Sequence, residues 1–290
     1  MSKIPARVKV KAYIELIKVT GPKTTLFWAV FTSTGILLTT PRNFLRIDSL
    51  TTVLAALLTA FGIYSLNDIF DLEIDRINYP MRPIPSGRVT KREVGVLSTI
   101  LFILGLSLAY SVNIYVFLWD LLFAILGLIY STPPIRLRKT ILSNFVIGAG
   151  CFSTVMCGAS VSIPTARAGF AAGVLLTFVT SIGALKDISD IEGDSAAGIK
   201  TLPILIGKRK TIQIATGGVF VLMALLLLGY FWFSFNTLYL LTSIIATAIS
   251  LKGTYLFFKS ISEPSLLEKA IKTMSFSLFL TCIAFALSAL

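Results

Sequence analysis

Nine apolar segments dominate this sequence, and each is long enough to cross the roughly 30 Å hydrocarbon core of a bilayer. They lie at residues 23–40, 48–66, 93–111, 114–130, 141–161, 168–186, 211–232, 237–258 and 270–289. Their lengths and number predict an all-α, polytopic membrane protein with about nine transmembrane helices. We expect one transmembrane domain over residues 1–290.

The composition supports this class and narrows the chemistry. Hydrophobic residues make up 55% of the chain, charged residues make up 14%, and the mean hydropathy is +0.85, outside the range of most soluble domains. The chain contains no histidine, which excludes histidine-based proton transfer and histidine-ligated metals. Its three cysteines lie in apolar runs without a CxxC pair. We therefore expect small buried side chains rather than a disulfide, a zinc site or a nucleophile.

Basic residues are distributed unevenly between the two sides of the predicted membrane. All of the 26 lysines and arginines except Arg42, Arg46 and Arg167 fall on the side that also carries the N-terminus. The positive-inside rule makes this side cytoplasmic. We expect an integral protein of the plasma membrane whose N-terminus and functional site are cytoplasmic. Since topology accounts for the net charge of +12, we expect no nucleic acid partner.

An acidic motif, NDIFDLEID from residue 67, closes the second span. On an α-helix Asp68, Asp71 and Asp75 fall within about 60° of one another, and Glu73 points to the far side. Carboxylates crowded on one face repel one another unless a cation lies among them. Hard oxygen ligands with room for water and phosphate suit Mg²⁺. The following basic loop, which contains Arg82, adds positive charge for a bound phosphate or diphosphate.

A second acidic motif, KDISDIEGD from residue 186, closes the sixth span with the same spacing. Asp187, Asp190 and Asp194 correspond to the three aspartates of the first motif. Glu192 corresponds to the outward-facing Glu73. One such motif alone could be a solvated acidic loop, but two copies with identical spacing favour a metal site. The repeat also suggests duplicated four-helix units, so we expect a pseudo-symmetric bundle that brings both motifs together across a central cavity.

The fourth span ends in LIYSTPPIRLRK, which finishes at residue 139. Pro133 and Pro134 stop the helix and leave Tyr130 and Ser131 in its last turn. Tyr130 is either an interfacial aromatic residue or a side chain at the cavity mouth, near a diphosphate or an allylic cation. This stretch alone does not distinguish the two.

Taken together, these motifs resemble the UbiA-type intramembrane prenyltransferases. The resemblance rests on NDxxDxxxD, RPIPSG, YSTPPIRLRK, KDxxDxxGD and KTLP, which occur in this order between residues 67 and 203. It implies a helical cavity open to lipid, where Mg²⁺ and both aspartate motifs hold a polyprenyl diphosphate. The prenyl group would pass to an acceptor through a transition state like an allylic carbocation. That acceptor would be an aromatic or quinone precursor or an archaeal glyceryl-phosphate lipid.

The resemblance and the charge pattern define one candidate site. The expected catalytic and metal-ligating residues are Asp68, Asp71, Asp75, Asp187, Asp190 and Asp194. The expected substrate-binding residues are Asn67, Arg82, Tyr130, Ser131, Lys139, Lys186 and Lys200. Among these, the bases should neutralise the departing diphosphate, because electrostatic stabilisation of developing charge usually dominates catalysis.

A secondary transporter or divalent-cation carrier is the competing interpretation, since helix-end acids and internal repeats also occur in that class. The clustering of carboxylates at one membrane edge, rather than at the midplane, counts against it. Asp120 keeps it open, because this carboxylate lies within a predicted span and intramembrane acids usually have a function. It lies only about 10 Å from the outer end of its helix, so a snorkelling or locally hydrated acid is the alternative.

Overall fold

The computed structural model describes residues 5–19, 22–196 and 198–289, and within these ranges it contains helices and no strand. In chain order the α-helices are α1 (Ala6–Val19), α2 (Pro22–Thr39), α3 (Ile47–Phe70), α4 (Leu72–Asn78), α5 (Lys91–Val112), α6 (Ile114–Ser131), α7 (Ser143–Ala159), α8 (Ala166–Lys186), α9 (Ile191–Ala196), α10 (Leu202–Ile206), α11 (Lys208–Phe233), α12 (Thr237–Lys259) and α13 (Leu267–Leu287).

Seven helices of the described chain are long and apolar enough to cross a membrane, namely α3, α5, α6, α8, α11, α12 and α13. Two shorter apolar stretches, Leu26–Thr39 in α2 and Ser143–Ala159 in α7, occupy the first and fifth predicted spans. All nine predicted segments are therefore helical. This confirms the all-α, polytopic membrane class, although two of the nine are shorter than expected.

The two shorter helices, α2 and α7, cross in direct backbone contact. A Cβ atom added to Gly35 would lie 1.9 Å from the Val155 carbonyl oxygen, and one added to Gly158 would lie 1.9 Å from that of Thr32. Glycine is required at both positions because no side chain fits between the backbones, as is common where membrane helices pack. This crossing brings α2 against the inner side of the bundle, where it also contacts α3, α8 and α13.

Each acidic motif lies at a break between helices, so the expectation of one continuous helical face is wrong. In the first motif α3 ends at Phe70 and α4 begins at Leu72, although the Asp71 amide still donates to the Asn67 carbonyl. The helical spacing therefore survives the break. In the second motif α8 ends at Lys186, four residues form turns, and α9 follows. The two motifs consequently place their second aspartates differently.

The N-terminal helix α1 lies against the segment that follows the first motif. Lys9 forms an ion pair with Glu93 at the start of α5, and Glu15 forms one with Arg88. The described part of the N-terminal segment is therefore on the same side of the bundle as the acidic motif, as the charge pattern predicted. Residues 1–4, which include Lys3, lie outside the described residues.

Two expectations about polar groups inside the spans have clear outcomes. Cys151, Cys157 and Cys282 are free and buried, as expected. Asp120 is 0% exposed, and the Thr59 hydroxyl donates to its Oδ2 at 2.7 Å. A snorkelling or hydrated acid is thus wrong for this residue. Asp120 does not line the central cavity, so the structure gives no support to a transport pathway through it.

Candidate active site

Three chain segments meet at one end of the bundle, where α3, α6 and α8 end. They are the first acidic motif, the loop between α6 and α7, and the second acidic motif. The amide of Lys200 donates to the carbonyl of Lys139 at 3.2 Å. This hydrogen bond ties the loop that follows the second motif to the loop that follows α6.

The first motif is held by a network of arginines and amides. Arg82 donates from Nη1 to both carboxylate oxygens of Asp75, at 3.0 and 2.9 Å. Asn67 donates to Asp71 at 2.7 Å and accepts from the Ser131 hydroxyl at 3.1 Å. The predicted residues of the first motif and of the YSTPP segment therefore share one hydrogen-bonded network.

The aspartates of the first motif are buried and the glutamate is not. Asp68, Asp71 and Asp75 are 9%, 4% and 5% exposed, whereas Glu73 lies on the surface. The predicted outward orientation of Glu73 is confirmed. Buried carboxylates are costly unless they are paired, and here arginines offset that cost for Asp71 and Asp75.

Arg136 shapes the loop that follows α6. Its φ of 40° and ψ of 61° are left-handed, a conformation that costs a non-glycine residue on the order of 1–3 kcal/mol. Its guanidinium donates to the Phe70 carbonyl at 2.9 Å and to Asp71 at 3.1 Å. These contacts hold the turn, and Arg138 then forms its own ion pair with Asp71.

The second motif carries excess negative charge. The pKa of Asp187 is raised to about 6, chiefly by burial; Asp194 and Asp190 contribute to the rise, and the Asn144 hydrogen bond and Arg138 oppose it. Burial and Asp190 likewise raise the pKa of Asp194. Among the described residues, no base lies within ion-pair distance of these three carboxylates. The negative charge of the second motif is therefore not neutralised by any ion pair in the described chain, and a bound cation would stabilise it.

A glycine allows the contact that orients Asp187. Asn144 of α7 donates to Asp187 at 2.7 Å. A Cβ on Gly183, one turn before the end of α8, would lie 2.1 Å from the Asn144 side-chain oxygen. Asn144 therefore forms an interhelical hydrogen bond whose acceptor is a candidate site residue. Glu192 is exposed, as predicted, but Asp190 is exposed as well.

Arg138 interacts electrostatically with aspartates of both motifs. Burial lowers the pKa of its guanidinium, whereas Asp194, Asp190, Asp68 and Asp187 raise it. The side chain lines the central cavity and is about a quarter exposed. Sequence reasoning selected Lys139, its neighbour, which makes no side-chain ion pair in the described chain. The sequence does contain the motif that points to Arg138, since Arg136 and Arg138 belong to the same YSTPPIRLRK segment as Lys139.

A cavity of about 320 Å³ opens between the two motifs and extends into the bundle. Asn67, Arg138 and Lys186 form its polar rim. The walls come from α2, α3, α6, α7, α8 and α13. Tyr130 lines this cavity, which supports its placement at the cavity mouth over an interfacial role. The cavity is about 10 Å deep, which is the rise along α3 from Asn67 to Ala60 and along α8 from Lys186 to Val179.

Aromatic rings line the cavity from just inside its rim to its deep end. The Trp28 and Phe123 ring centroids are 4.6 Å apart, and those of Trp28 and Phe31 are 5.7 Å apart. The Trp28 indole N–H donates to the Tyr64 hydroxyl at 3.0 Å, which fixes the indole. All four rings line the cavity. These rings lie in three different helices, so the fold, and not one sequence motif, brings them together.

The carboxylates of the two motifs fit Mg²⁺ only if substrate phosphates or water molecules supply its remaining ligands. No three acidic or cysteine side chains in the described residues lie close enough together to hold a metal by themselves. The six aspartates therefore do not form a complete protein cage, and Asp71 and Asp75 face arginines instead. Mg²⁺ commonly takes one or two carboxylates and completes its octahedron with water and substrate phosphates. The uncompensated carboxylates of the second motif are suited to that arrangement.

Comparisons with known sequences find relatives that match most of the chain. The UbiA prenyltransferase family matches residues 26–286. A digeranylgeranylglyceryl phosphate synthase from Methanocaldococcus jannaschii is 31% identical over 291 residues, which cover 97% of each chain. The synthase of that name from Methanococcus vannielii is 33% identical over 261 residues and covers 88% of each chain.

Solved structures show the same helical arrangement. A structure of digeranylgeranylglyceryl phosphate synthase superimposes with a TM-score of 0.77 and 29% identity, over 97% of this chain and 98% of the other. A UbiA homolog from Archaeoglobus fulgidus bound to GPP and Mg²⁺ superimposes with a TM-score of 0.70, over 95% of this chain and 99% of the other. At 17% identity, the second comparison concerns the fold alone.

Proposed function

Because the chain belongs to the UbiA prenyltransferase family, we propose that it transfers a geranylgeranyl group from geranylgeranyl diphosphate to geranylgeranylglyceryl phosphate. The allylic C–O bond to diphosphate breaks, an ether bond forms, and the acceptor hydroxyl loses its proton. The observation that carries the proposal is the aromatic cavity whose polar rim lies between two acidic motifs. The choice of donor and acceptor rests on the relatives that are named digeranylgeranylglyceryl phosphate synthases.

The acidic motifs would hold the diphosphate through Mg²⁺, with Asp187 and Asp194 as the strongest candidates for direct ligands because neither is paired with a base. When bound, Mg²⁺ would neutralise the negative charge that develops on the departing diphosphate. Asp71 and Asp75 hold Arg138 and Arg82 in place. Asp68 and Asp190 complete the proposed acidic lining of the two motifs.

The bases at the rim would bind the diphosphate oxygens directly. Arg138 and Lys186 line the cavity, so their charges lie where the diphosphate would leave. Arg82 is engaged with Asp75, and its guanidinium lies 4.2 Å above the Tyr79 ring centroid. Lys139 and Lys200 lie in the two loops tied by a backbone hydrogen bond, from which longer-range neutralisation is expected.

The cavity would bind the first part of the prenyl chain and exclude water from the allylic cation. A cavity of about 150 Å³ holds one benzene molecule, so the 320 Å³ measured here suits about two isoprene units. The remaining units of a geranylgeranyl chain would leave the cavity between helices. Tyr64 and Tyr130 are the rings closest to the rim along α3 and α6, where a cation–π contact would stabilise positive charge.

We propose that the site faces the cytoplasm in the plasma membrane. The basic N-terminal segment, the two motifs and the α6–α7 loop lie on one side of the bundle, and the positive-inside rule assigns that side to the cytoplasm. This placement would give the enzyme access to a water-soluble cation and to two lipid substrates within the same leaflet.

Reconstituted protein should make digeranylgeranylglyceryl phosphate when both substrates are supplied with Mg²⁺. We expect product detectable by mass spectrometry that disappears when EDTA removes the metal and returns when Mg²⁺ is restored, because the carboxylates alone repel the diphosphate. Parallel reactions with 4-hydroxybenzoate as acceptor serve as the control. Product from the aromatic acceptor, with none from the glyceryl phosphate, would contradict the acceptor assignment.

Replacing Trp28 by alanine should change the preference for prenyl chain length. Removing the indole opens the deep end of the cavity and removes packing against a two-unit chain. We expect the ratio of kcat/KM for geranylgeranyl over geranyl diphosphate to rise about tenfold, within the range of one lost hydrophobic contact. Trp232→Ala is the matched control, since Trp232 is 74% exposed on α11. An unchanged ratio in Trp28→Ala would exclude a role for the indole in chain length.

A further inference from the structure

We infer that a groove between α12 and α13 binds the phosphate-bearing headgroup of an anionic membrane lipid. This headgroup groove has a volume of about 570 Å³, and three of its lining residues are Lys252, Lys269 and Lys272. It shares no lining residue with the central cavity. The inference therefore concerns a separate site and goes beyond the proposed prenyl transfer.

The three lysines lie within segments that are apolar enough to span the membrane. Lys252 belongs to the span Thr237–Lys259, and the other two belong to the span Pro264–Leu287. Lys252 is nearly two helical turns from the end of α12, or about 10 Å along the axis. A cation at that depth needs an anionic partner or must extend to the interface. All three lysines line the same groove, so one anion could balance their charge.

The protein supplies too little negative charge to balance this groove. Glu268 is the one carboxylate that lines it, and it pairs with Lys272 at 2.5 Å. Elsewhere in the described chain, no carboxylate lies within ion-pair distance of Lys252 or Lys269. The groove keeps a net positive charge, and basic pockets between transmembrane helices bind anionic headgroups for this reason.

Close packing of α12 and α13 fixes the spacing of the lysines before any ligand binds. A Cβ on Gly253 would lie 2.4 Å from the Met274 sulfur, so the two helices approach closely beside Lys252. The hydroxyls of Ser250 and Ser277 lie 2.7 Å apart across the same contact. A preformed arrangement lowers the entropic cost of binding.

The lining favours a lipid over free phosphate. Ser265 adds an exposed hydroxyl near the headgroup end, whereas Ile249 and Phe276 lie deeper in the groove. Phe276 is exposed on α13, within the segment that is apolar enough to span the membrane. A phosphate on a hydrocarbon chain would contact both parts, whereas inorganic phosphate would use only the polar part. The groove is on the side of the bundle where α3 and α8 end, since successive spans alternate in direction.

The test measures lipid binding to the purified full-length protein in a nonionic detergent. Dioleoyl phosphatidylglycerol is titrated, and bound lipid is counted by native mass spectrometry. The variant Lys252→Gln/Lys269→Gln/Lys272→Gln is compared with Lys208→Gln/Arg209→Gln/Lys210→Gln, which removes the same charge from exposed residues at the start of α11. We expect the groove variant to lose affinity on the order of tenfold or more, and the control variant less than about twofold.

Two further arms identify the ligand. Dioleoyl phosphatidylcholine should show no saturable binding, and inorganic phosphate at millimolar concentration should not compete with phosphatidylglycerol. Equal losses in the two triple variants would overturn the inference, because binding would then follow overall charge. Full competition by inorganic phosphate would overturn the assignment to a lipid. Lys252→Gln alone, which removes the deepest lysine, should reproduce part of the loss.

Discussion

Asp71→Asn and Asp187→Asn should each lower kcat/KM at least about a hundredfold, whereas Glu73→Gln and Glu192→Gln should stay within about threefold of wild type. Losses of this size are typical when one preorganised electrostatic contact to the transition state is removed. Asp71 is buried beneath Arg136 and Arg138, and the Asp187 carboxyl accepts a hydrogen bond from Asn144. The two glutamates are exposed.

The glutamate variants are matched controls for the aspartate variants. They remove the same charge from the same two motifs, at positions on the outer surface. Asp71→Asn also leaves two partly buried guanidinium groups, those of Arg136 and Arg138, with one fewer partner, which can destabilise the fold. Size-exclusion chromatography and donor binding should therefore accompany the rate measurement. Equal losses in all four variants would mean that the motifs act only as diffuse negative charge.

Asp190→Asn separates two interpretations of the second motif. The sequence pattern predicts that Asp190 acts like Asp71, whereas the structure places Asp190 on the surface and Asp71 in the interior. If Mg²⁺ and diphosphate draw Asp190 inward, its loss should match that of Asp187. If Asp190 stays outside, the variant should behave like Glu192→Gln.

Arg138→Gln should lower kcat/KM for the prenyl diphosphate about a hundredfold or more, while Lys139→Gln should change it less than about fivefold. Arg138 lines the cavity and interacts with aspartates of both motifs. Removing its charge takes away a donor to diphosphate and also leaves the acidic motifs to repel each other. Lys139 carries the same charge on the next residue, so the pair controls for loop position. Steady-state kinetics with varied donor concentration would separate KM from kcat.

Two outcomes would contradict this assignment. An Arg138→Gln enzyme with normal kinetics would show that the guanidinium is structural. Equal losses in Arg138→Gln and Lys139→Gln would show that the loop supplies positive charge without a defined contact. Arg138→Lys gives a further comparison, because lysine keeps the charge but cannot form the planar, two-pronged contact of a guanidinium.

Hydropathy alone predicted the nine apolar helices, since long apolar runs in lipid have one stable backbone solution, but it did not predict the short or polar helices α1, α4, α9 and α10. Capping added detail that the segments did not reveal, such as the capping box that Thr90 and Glu93 form at the start of α5. The motif ends were less predictable. Helical periodicity assumed that α3 continues through Asp71, but the helix breaks there. The outward position of Glu73 was nevertheless correct, because hydrogen bonds from Asp71 and Asp75 keep helical spacing across the break.

The choice between Arg138 and Lys139 could not be made from the sequence. After Pro134 the chain no longer follows a repeating geometry, so the direction of each side chain depends on the turn. The left-handed conformation of Arg136 sets that direction. Arginine rarely adopts this conformation, so the sequence gives no reason to expect it there. Likewise, the contact of Asn144 with Asp187 depends on the packing of α7 against α8 and on the small size of Gly183. The direction of the Arg138 side chain and the partner of Asn144 therefore both depend on tertiary structure.

In the proposed mechanism both acidic motifs hold one diphosphate through Mg²⁺, and donor binding tests this most directly. Isothermal titration of geranylgeranyl thiolodiphosphate, a donor analogue with a slowly departing group, should give saturable binding in Mg²⁺. Binding should weaken at least about tenfold in EDTA, and by a similar factor in Asp71→Asn or Asp187→Asn with Mg²⁺ present. Binding that is equally tight in EDTA, or that depends on one motif only, would contradict the account.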